Sequence, residues 1–226
     1  MTDNLNKKIL SHISNDVELL ISNTPVDYLE AVSFMEERVK AIHFRTAPEL
    51  VWLLEHPSIF TAGTSAKDLE LLDKSRFPVF QSGRGGHYTY HGPGQRIAYV
   101  MLDLSKRGND IRKFVHSIED WVIETLSYFN VIGEVHNDRI GIWVKSGAAG
   151  NPSSSEEKIA AIGVRVRHGI TFHGVAINID PNLEHFSGII PCGIESHSVT
   201  SLWDIGLTTT MAELDTVLIS TFDKNF

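Results

Sequence analysis

Two stretches of the chain place apolar residues at the three- and four-residue spacing of a helix that buries one face. In PVDYLEAVSFMEERVKAIHF these are Tyr28, Leu29, Val32, Met35, Val39 and Ile42, with Asp27 standing where an N-cap belongs. In DIRKFVHSIEDWVIETLSYFNV the stripe is Ile111, Phe114, Val115, Ile118, Trp121, Val122 and Leu126, with Asp110 as the cap. Other stretches carry strand signals. LVWLLEHP is a short apolar run stopped by a proline, and PVFQ, RIAYVMLDL and RIGIWV are further short runs. KIAAIGVRVRHGITFHGVAINI reads as two strands joined near Arg167, His168 and Gly169, a hairpin. SLWDIGLTTTMAELDTVLISTFDKNF reads as a loop and then a helix capped by Thr210 or a neighbouring threonine. The first few residues are read as frayed.

Strands and helices interleave without the regular alternation of a doubly wound fold, and consecutive strands look hairpin-linked. That predicts an α+β architecture with a mixed, mainly antiparallel sheet flanked by helices. No internal repeat and no linker divides the chain, so residues 1–226 are expected to form a single domain. The small, polar stretch SGAAGNPSSSEE is read as a flexible surface loop over 146–157, inserted between two strands.

Composition narrows the function. The chain is 42% hydrophobic and 21% charged, as a water-soluble globular protein is. A net charge of -8 argues against nucleic-acid binding, which needs a clustered basic surface, but leaves room for an acidic protein partner on a local basic patch. KKILSHISNDVELLISN lacks the continuous apolar core of a signal peptide, and no apolar run reaches membrane-spanning length. A cytoplasmic location is expected. The lone Cys192 permits no internal disulfide.

The most unusual stretch is RGGHYTYHGPGQ, residues 84–95. Its glycines allow close backbone approach, yet it lacks the ending of a phosphate-binding P-loop and the G-x-G-x-x-G spacing. HYTYH alternates like a strand, putting His87, Thr89 and His91 on one face and Tyr88 and Tyr90 on the other. Two histidines are too few ligands for zinc, and no metal is expected. The clustering favours a binding site. AAIGV and HGVA suit space for an acyl chain between strands, or simply tight backbone packing.

Cys192 lies between Pro191 and Gly193, on a turn. It is either a small buried hydrophobe or a nucleophile near backbone N–H groups, and the residues alone leave both open. A nucleophile needs a partner. Candidates are His87, His91, His168, His173, His185, His197 and Lys158. The lysine opens the apolar strand IAAIGV, and is either a strand-edge charge facing water or a charge at a pocket edge, able to stabilise a thiolate.

Three stretches, RGGHYTYHGPGQRIAYVMLDL, KIAAIGVRVRHGITFHGVAINI and PCGI, together with LLEHPSIFTAGTS upstream, resemble the octanoyltransferases of lipoate biosynthesis. The similarity runs from about Leu50 to Leu202, with the stretches in the family's order. It implies the α+β catalytic domain shared by lipoate and biotin protein ligases. It implies that Cys192 takes an octanoyl group from octanoyl-acyl-carrier protein as a thioester, and that Lys158 lowers the thiol pKa and serves as acid and base. The group then passes to a lysine ε-amine on a lipoyl domain of a 2-oxoacid dehydrogenase complex or the glycine cleavage H protein. By position, Arg84, Gly85, Gly86, His87, Tyr88, Thr89, Tyr90, His91, Ala161, Ile162, Gly163, Gly174, Val175 and Ala176 would line the acyl site. No cofactor and no ATP are implied, because aminolysis of a thioester runs downhill. The stretch before Lys158 is longer than the family's usual connection. The alternatives are an ATP-dependent lipoate–protein ligase, a cysteine thioesterase and a non-catalytic acyl-binding module.

Overall fold

The computed structural model describes residues 7–14, 16–145, 155–190 and 198–226. Its strands are β1 (Lys7–Ser14), β2 (Val17–Ser22), β3 (Glu49–Leu54), β4 (Ile59–Ala62), β5 (Val79–Gln81), β6 (Tyr88–His91), β7 (Gln95–Met101), β8 (Glu134–His136), β9 (Arg139–Lys145), β10 (Glu156–Arg167), β11 (Ile170–Asn178) and β12 (Ser198–Val199). The helices are α1 (Tyr28–His43), α2 (Ile111–Tyr128) and α3 (Met211–Thr221).

Among the described residues, a nine-stranded sheet runs β1-β2-β3-β7-β11-β10-β9-β8, with β12 beside β10. Only β2 with β3 and β10 with β12 are parallel there, so the sheet is mixed and mainly antiparallel. A second, three-stranded sheet runs β5-β4-β6. Helix α1 packs Ala31, Met35, Val39 and Ile42 onto one face of the large sheet, against Trp52, Ile97, Tyr99 and Phe172. Helices α2 and α3 pack Phe114, Ile118, Trp121, Leu214 and Leu218 onto the other, against Val51, Val100, Val175 and Ile177. Strand β3 is covered on both faces and buries all six residues, so it reads as a continuous apolar run with no alternation.

The caps stand where the pattern puts them. The Asp27 carboxylate accepts from the amides of Leu29 and Glu30, and Asp110 from those of Arg112 and Lys113. Thr210 and Glu213 form a reciprocal capping box at the start of α3. Leu29 is 59% exposed and Ile111 44% exposed, at the outer edges of their stripes. The first few residues, read as frayed, lie outside the described residues, and the chain from Lys7 forms strands that the sequence pattern did not predict. Strands β1 and β2 form an antiparallel hairpin, and β2 joins the sheet beside β3, burying Leu19 and Leu20 on opposite faces. Strand β10 takes in Glu156 and Glu157, the last two residues of the stretch read as a loop, and 146–154 lie outside the described residues. No described helix is long and apolar enough to cross a membrane.

Candidate active site

The glycine-rich stretch folds over the large sheet at β10 and β11 and roofs a cleft of about 570 Å³, counting the space at its mouth. Of the residues expected to line an acyl site, Arg84, His87, Tyr88, Thr89, His91, Ala161, Ile162, Gly163, Gly174, Val175 and Ala176 border it, together with Lys158. Tyr90 does not. The alternation of β6 turns its ring to the small sheet, where it packs with Phe60 and Phe186 and its hydroxyl meets Ser58 and His185. Gly85 and Gly86 form the turn beneath the roof instead: the Gly85 amide donates to the Val164 carbonyl, and Gly86 has φ 88°.

Arg84 holds the roof in place. Its guanidinium donates to the carbonyls of Gly85, Thr61 and His87 and to the Thr61 hydroxyl, at 2.8–3.1 Å. Its stem lies over Gly163, where a Cβ would stand 2.7 Å from Arg84 Cδ. At Gly174 the tight-packing reading holds, since a Cβ there would meet the Ala98 carbonyl oxygen of β7 at 2.2 Å.

Lys158 is 4% exposed, which rules out a strand-edge charge facing water. Its placement is a matter of register. Along β10, Ala160 packs into the core beneath α2 while Ala161 and Gly163 face the cleft. Strict alternation would send Lys158 with Ala160. The pairing with β9 shifts by one residue, Lys158 opposite Trp143 but Ala160 opposite Ile142. Ile159 and Ala160 therefore both enter the core, and the bulge re-aims Lys158 into the cleft. There its ammonium donates to the Ile140 carbonyl at 2.7 Å and lies 4.6 Å from the centre of the Trp143 ring.

The buried histidines at and beside the cleft, His91, His173 and His56, are held well below the ordinary imidazole range. Burial pushes His91 well below the ordinary imidazole range, and the neighbouring His56 adds to it. The amide chain beside it fixes its tautomer. Gln95 donates to the Tyr90 carbonyl and to Asn178, so its own oxygen must accept, and His91 Nδ1 donates to it at 2.7 Å. That leaves Nε2 as a lone pair. His56 donates from Nδ1 to the Val26 carbonyl and accepts from the Tyr99 hydroxyl at Nε2. Burial lowers its pKa to about 4, and burial with the charges of Arg84 and Arg165 lowers that of His173 to about 3.

Of the histidines weighed as partners for a nucleophile, His87, His91 and His173 border the cleft. His87 Nδ1 pairs with Glu70 and His91 Nδ1 with Gln95. His168 stacks on His43 at the β10–β11 turn, and His185 bonds Tyr90. His197 and Cys192 lie outside the described residues. Four lining residues were not expected in that role. Ile97 and Tyr99 share one face of β7 by simple alternation, Tyr28 had been read only as helix stripe, and His173 only as a possible partner.

The family description "Lipoyl protein ligase A/B catalytic domain" matches residues 27–223. An octanoyltransferase of Paramagnetospirillum magneticum is 59% identical over 210 residues, 93% of this chain and 97% of its own. One of Parvibaculum lavamentivorans is 60% identical over 209 residues, 92% of each chain. One of Bartonella tribocorum is 50% identical over 238 residues, 100% of this chain and 97% of its own. Among solved structures, a bi-partite lipoate protein ligase of Thermoplasma acidophilum superposes with a TM-score of 0.63 at 15% identity, covering 95% of this chain and 84% of that one. A lipoate-protein ligase A bound with ATP gives 0.60 at 17% identity, over 91% and 84%. At that identity the likeness is one of fold, and it agrees with the sheet and helices described above. The chain belongs to the lipoyl protein ligase A/B catalytic-domain family and, within it, to the octanoyltransferases.

Proposed function

We propose that the chain moves an octanoyl group from octanoyl-acyl-carrier protein to the lysine ε-amine of a lipoyl domain, through a thioester on Cys192. The observation that carries the reading is the bulge in β10, which brings a buried ammonium into a cleft whose buried histidines, His91 and His173, are held far below neutrality. A histidine held that far below neutrality is a poor proton acceptor, so the acid–base work falls to Lys158. In the first half-reaction the Cys192 thiolate attacks the donor thioester. The new C–S bond forms, the bond to the carrier's sulfur breaks, and the departing thiolate takes up the proton of the Lys158 ammonium, which leaves Lys158 as the amine. In the second, the lipoyl lysine attacks the acyl-enzyme; its nitrogen gives up a proton to the Lys158 amine as the C–N bond forms, and Cys192 leaves as thiolate. No ATP is consumed, because a thioester is already activated.

Intact mass tests the class. Incubation with octanoyl-carrier protein should add one octanoyl group to the chain, and a lipoyl domain should remove it. Modification of a lipoyl domain by the chain with lipoate and ATP, without acyl carrier, would favour the ligase reading instead.

Gly141 is a positioning residue for Lys158 on this reading. It adopts φ 125°, and a Cβ there would stand 2.7 Å from the Ala160 carbonyl oxygen and 3.1–3.2 Å from Lys158 Cε and Nζ. Gly141→Ala should therefore displace the ammonium and slow transfer by about 10²-fold, the cost of misplacing a reacting group by an ångström or so. The pH profile of Cys192 alkylation should move with it. A slower variant with an unmoved profile would mean that Gly141 acts through stability alone.

A further inference from the structure

Trp143 is buried in a charged setting. It is 1% exposed, yet it joins none of the apolar clusters formed by the described residues. Strand alternation accounts for its side: Ile142 and Val144 face the core beneath α2, so Trp143 is turned to the other face of β9. There the Arg139 guanidinium lies 4.3 Å from the centre of its ring and the Lys158 ammonium 4.6 Å from it. His136 of β8 stands edge-on, with ring centres 6.2 Å apart. An indole buried against cations offers them the negative face of its π-system, which attracts them.

The ring is held in place for this contact. Trp143 and Lys158 are direct partners across β9 and β10, next to the slip in their pairing, so the two side chains leave neighbouring strands at one level. Trp143 Nε1 donates to the Arg139 carbonyl at 3.4 Å. The Arg139 guanidinium is held in turn by the Glu156 carboxylate, which also meets His136 Nε2 at 3.4 Å. Glu156 therefore offsets the Arg139 charge, and the second cation at the ring does not repel Lys158 at full strength. Glu134, opposite Trp143 on β8, bonds Lys145 at 3.2 Å. Taking an ammonium out of water disfavours its charge. The 2.7 Å hydrogen bond to the Ile140 carbonyl offsets part of that cost, and the aromatic face offsets a further part. The face carries no net charge and accepts no proton. It supports the ammonium without competing for the proton that Lys158 has to give up and take back.

We propose that Trp143 is a positioning residue that favours the charged form of Lys158 and fixes where its proton is held. This rests on the acyl-transfer reading, in which Lys158 is an ammonium as Cys192 attacks and an amine as the lipoyl lysine attacks. A weaker aromatic face then acts on the two half-reactions in different ways. The ammonium is less favoured, so the Cys192 thiolate loses support and reacts more slowly near neutral pH. The amine is reached at lower pH, so transfer to the lipoyl domain begins at lower pH.

The test replaces Trp143 in the full chain by mono-, di- and trifluorotryptophan, which weakens the negative face stepwise while the ring still fills its site. In single turnovers of the octanoyl-enzyme with a lipoyl domain, the rising limb of the pH–rate profile should move to lower pH by about one unit across the series, a ~10-fold change in the hold on the proton. Alkylation of Cys192 near neutral pH should slow over the same series. Trp143→Leu removes the face altogether, and Trp143→Phe, which keeps one, should restore most of what the leucine variant loses. A limb that stays in place across the fluorinated series overturns the proposal, whatever the absolute rate, since a ring with a purely structural role would lower the rate without moving the limb. An unaltered chain that octanoyl-carrier protein does not acylate would overturn the acyl-transfer reading, and the proposal with it.

Discussion

Lys158→Ala is expected to slow octanoyl transfer by about 10²–10⁴-fold, the usual worth of a positioned acid–base group. That is roughly 3–5 kcal/mol of transition-state stabilisation. The structural side of the same change is smaller. It leaves the Ile140 carbonyl without its 2.7 Å donor, a loss of about 1–3 kcal/mol against a folding stability of about 5–15. The variant should stay folded, and the rate loss should report chemistry. Two assays separate the two roles of the lysine. On the proposed mechanism, in which the Lys158 ammonium lowers the thiol pKa, alkylation of Cys192 near neutral pH should slow in Lys158→Ala. Lys158→Arg keeps the charge but cannot give up a proton, so alkylation should recover while transfer to the lipoyl domain does not. Alkylation that is equally fast in all three chains would remove Lys158 from the mechanism.

The second large effect is on stability in mild acid. His56 and His173 have folded-state pKa values of about 4 and about 3, below the value near 6.5 of an unfolded chain. Between those limits the unfolded state binds more protons than the folded one, so stability rises with pH and falls on acidification. The contribution is complete above about pH 6.5 and is lost progressively below it. From pH 7 to pH 4 the loss is on the order of 3 kcal/mol for each histidine. His91, displaced in the same direction, adds to it. Protonating His56 also sets its Nε2–H against the Tyr99 hydroxyl that now donates to it. The capping carboxylates Asp110 and Glu213 are shifted below their ordinary values and act at still lower pH, while Asp215, raised by burial, opposes the histidines in part. Urea midpoints at pH 7, 5.5 and 4 should fall steeply. A flat midpoint across that window would mean that these rings are not buried as described.

Much of the fold was legible because it follows from local chemistry. Asp27, Asp110 and Thr210 cap the helices they precede, since a short polar side chain can close a first turn wherever the sequence places it. The hairpin of β10 and β11, the alternation of His87, Thr89 and His91, and most of the cleft wall depend on a period of two residues, which a sequence displays directly. The β1–β2 hairpin was missed because its register and its place in the sheet depend on β3, some thirty residues on, and nothing local announces that partner.

The sequence by itself determined the family, the residue types of the site and the stretch that roofs it. Tertiary structure decided which of those side chains meet. Lys158 faces the cleft only because the pairing of β10 with β9 slips by one residue, and a slip lies in the relation between two strands, not in either alone. Tyr90 was removed from the site by the same kind of relation, the small sheet claiming its face of β6. His173 reads as one histidine among eleven. Its left-handed backbone, and ring nitrogens with no partner among the described residues, exist only once β11 is held between β7 and β10, because packing on both sides is what sustains a local cost that no isolated strand would keep.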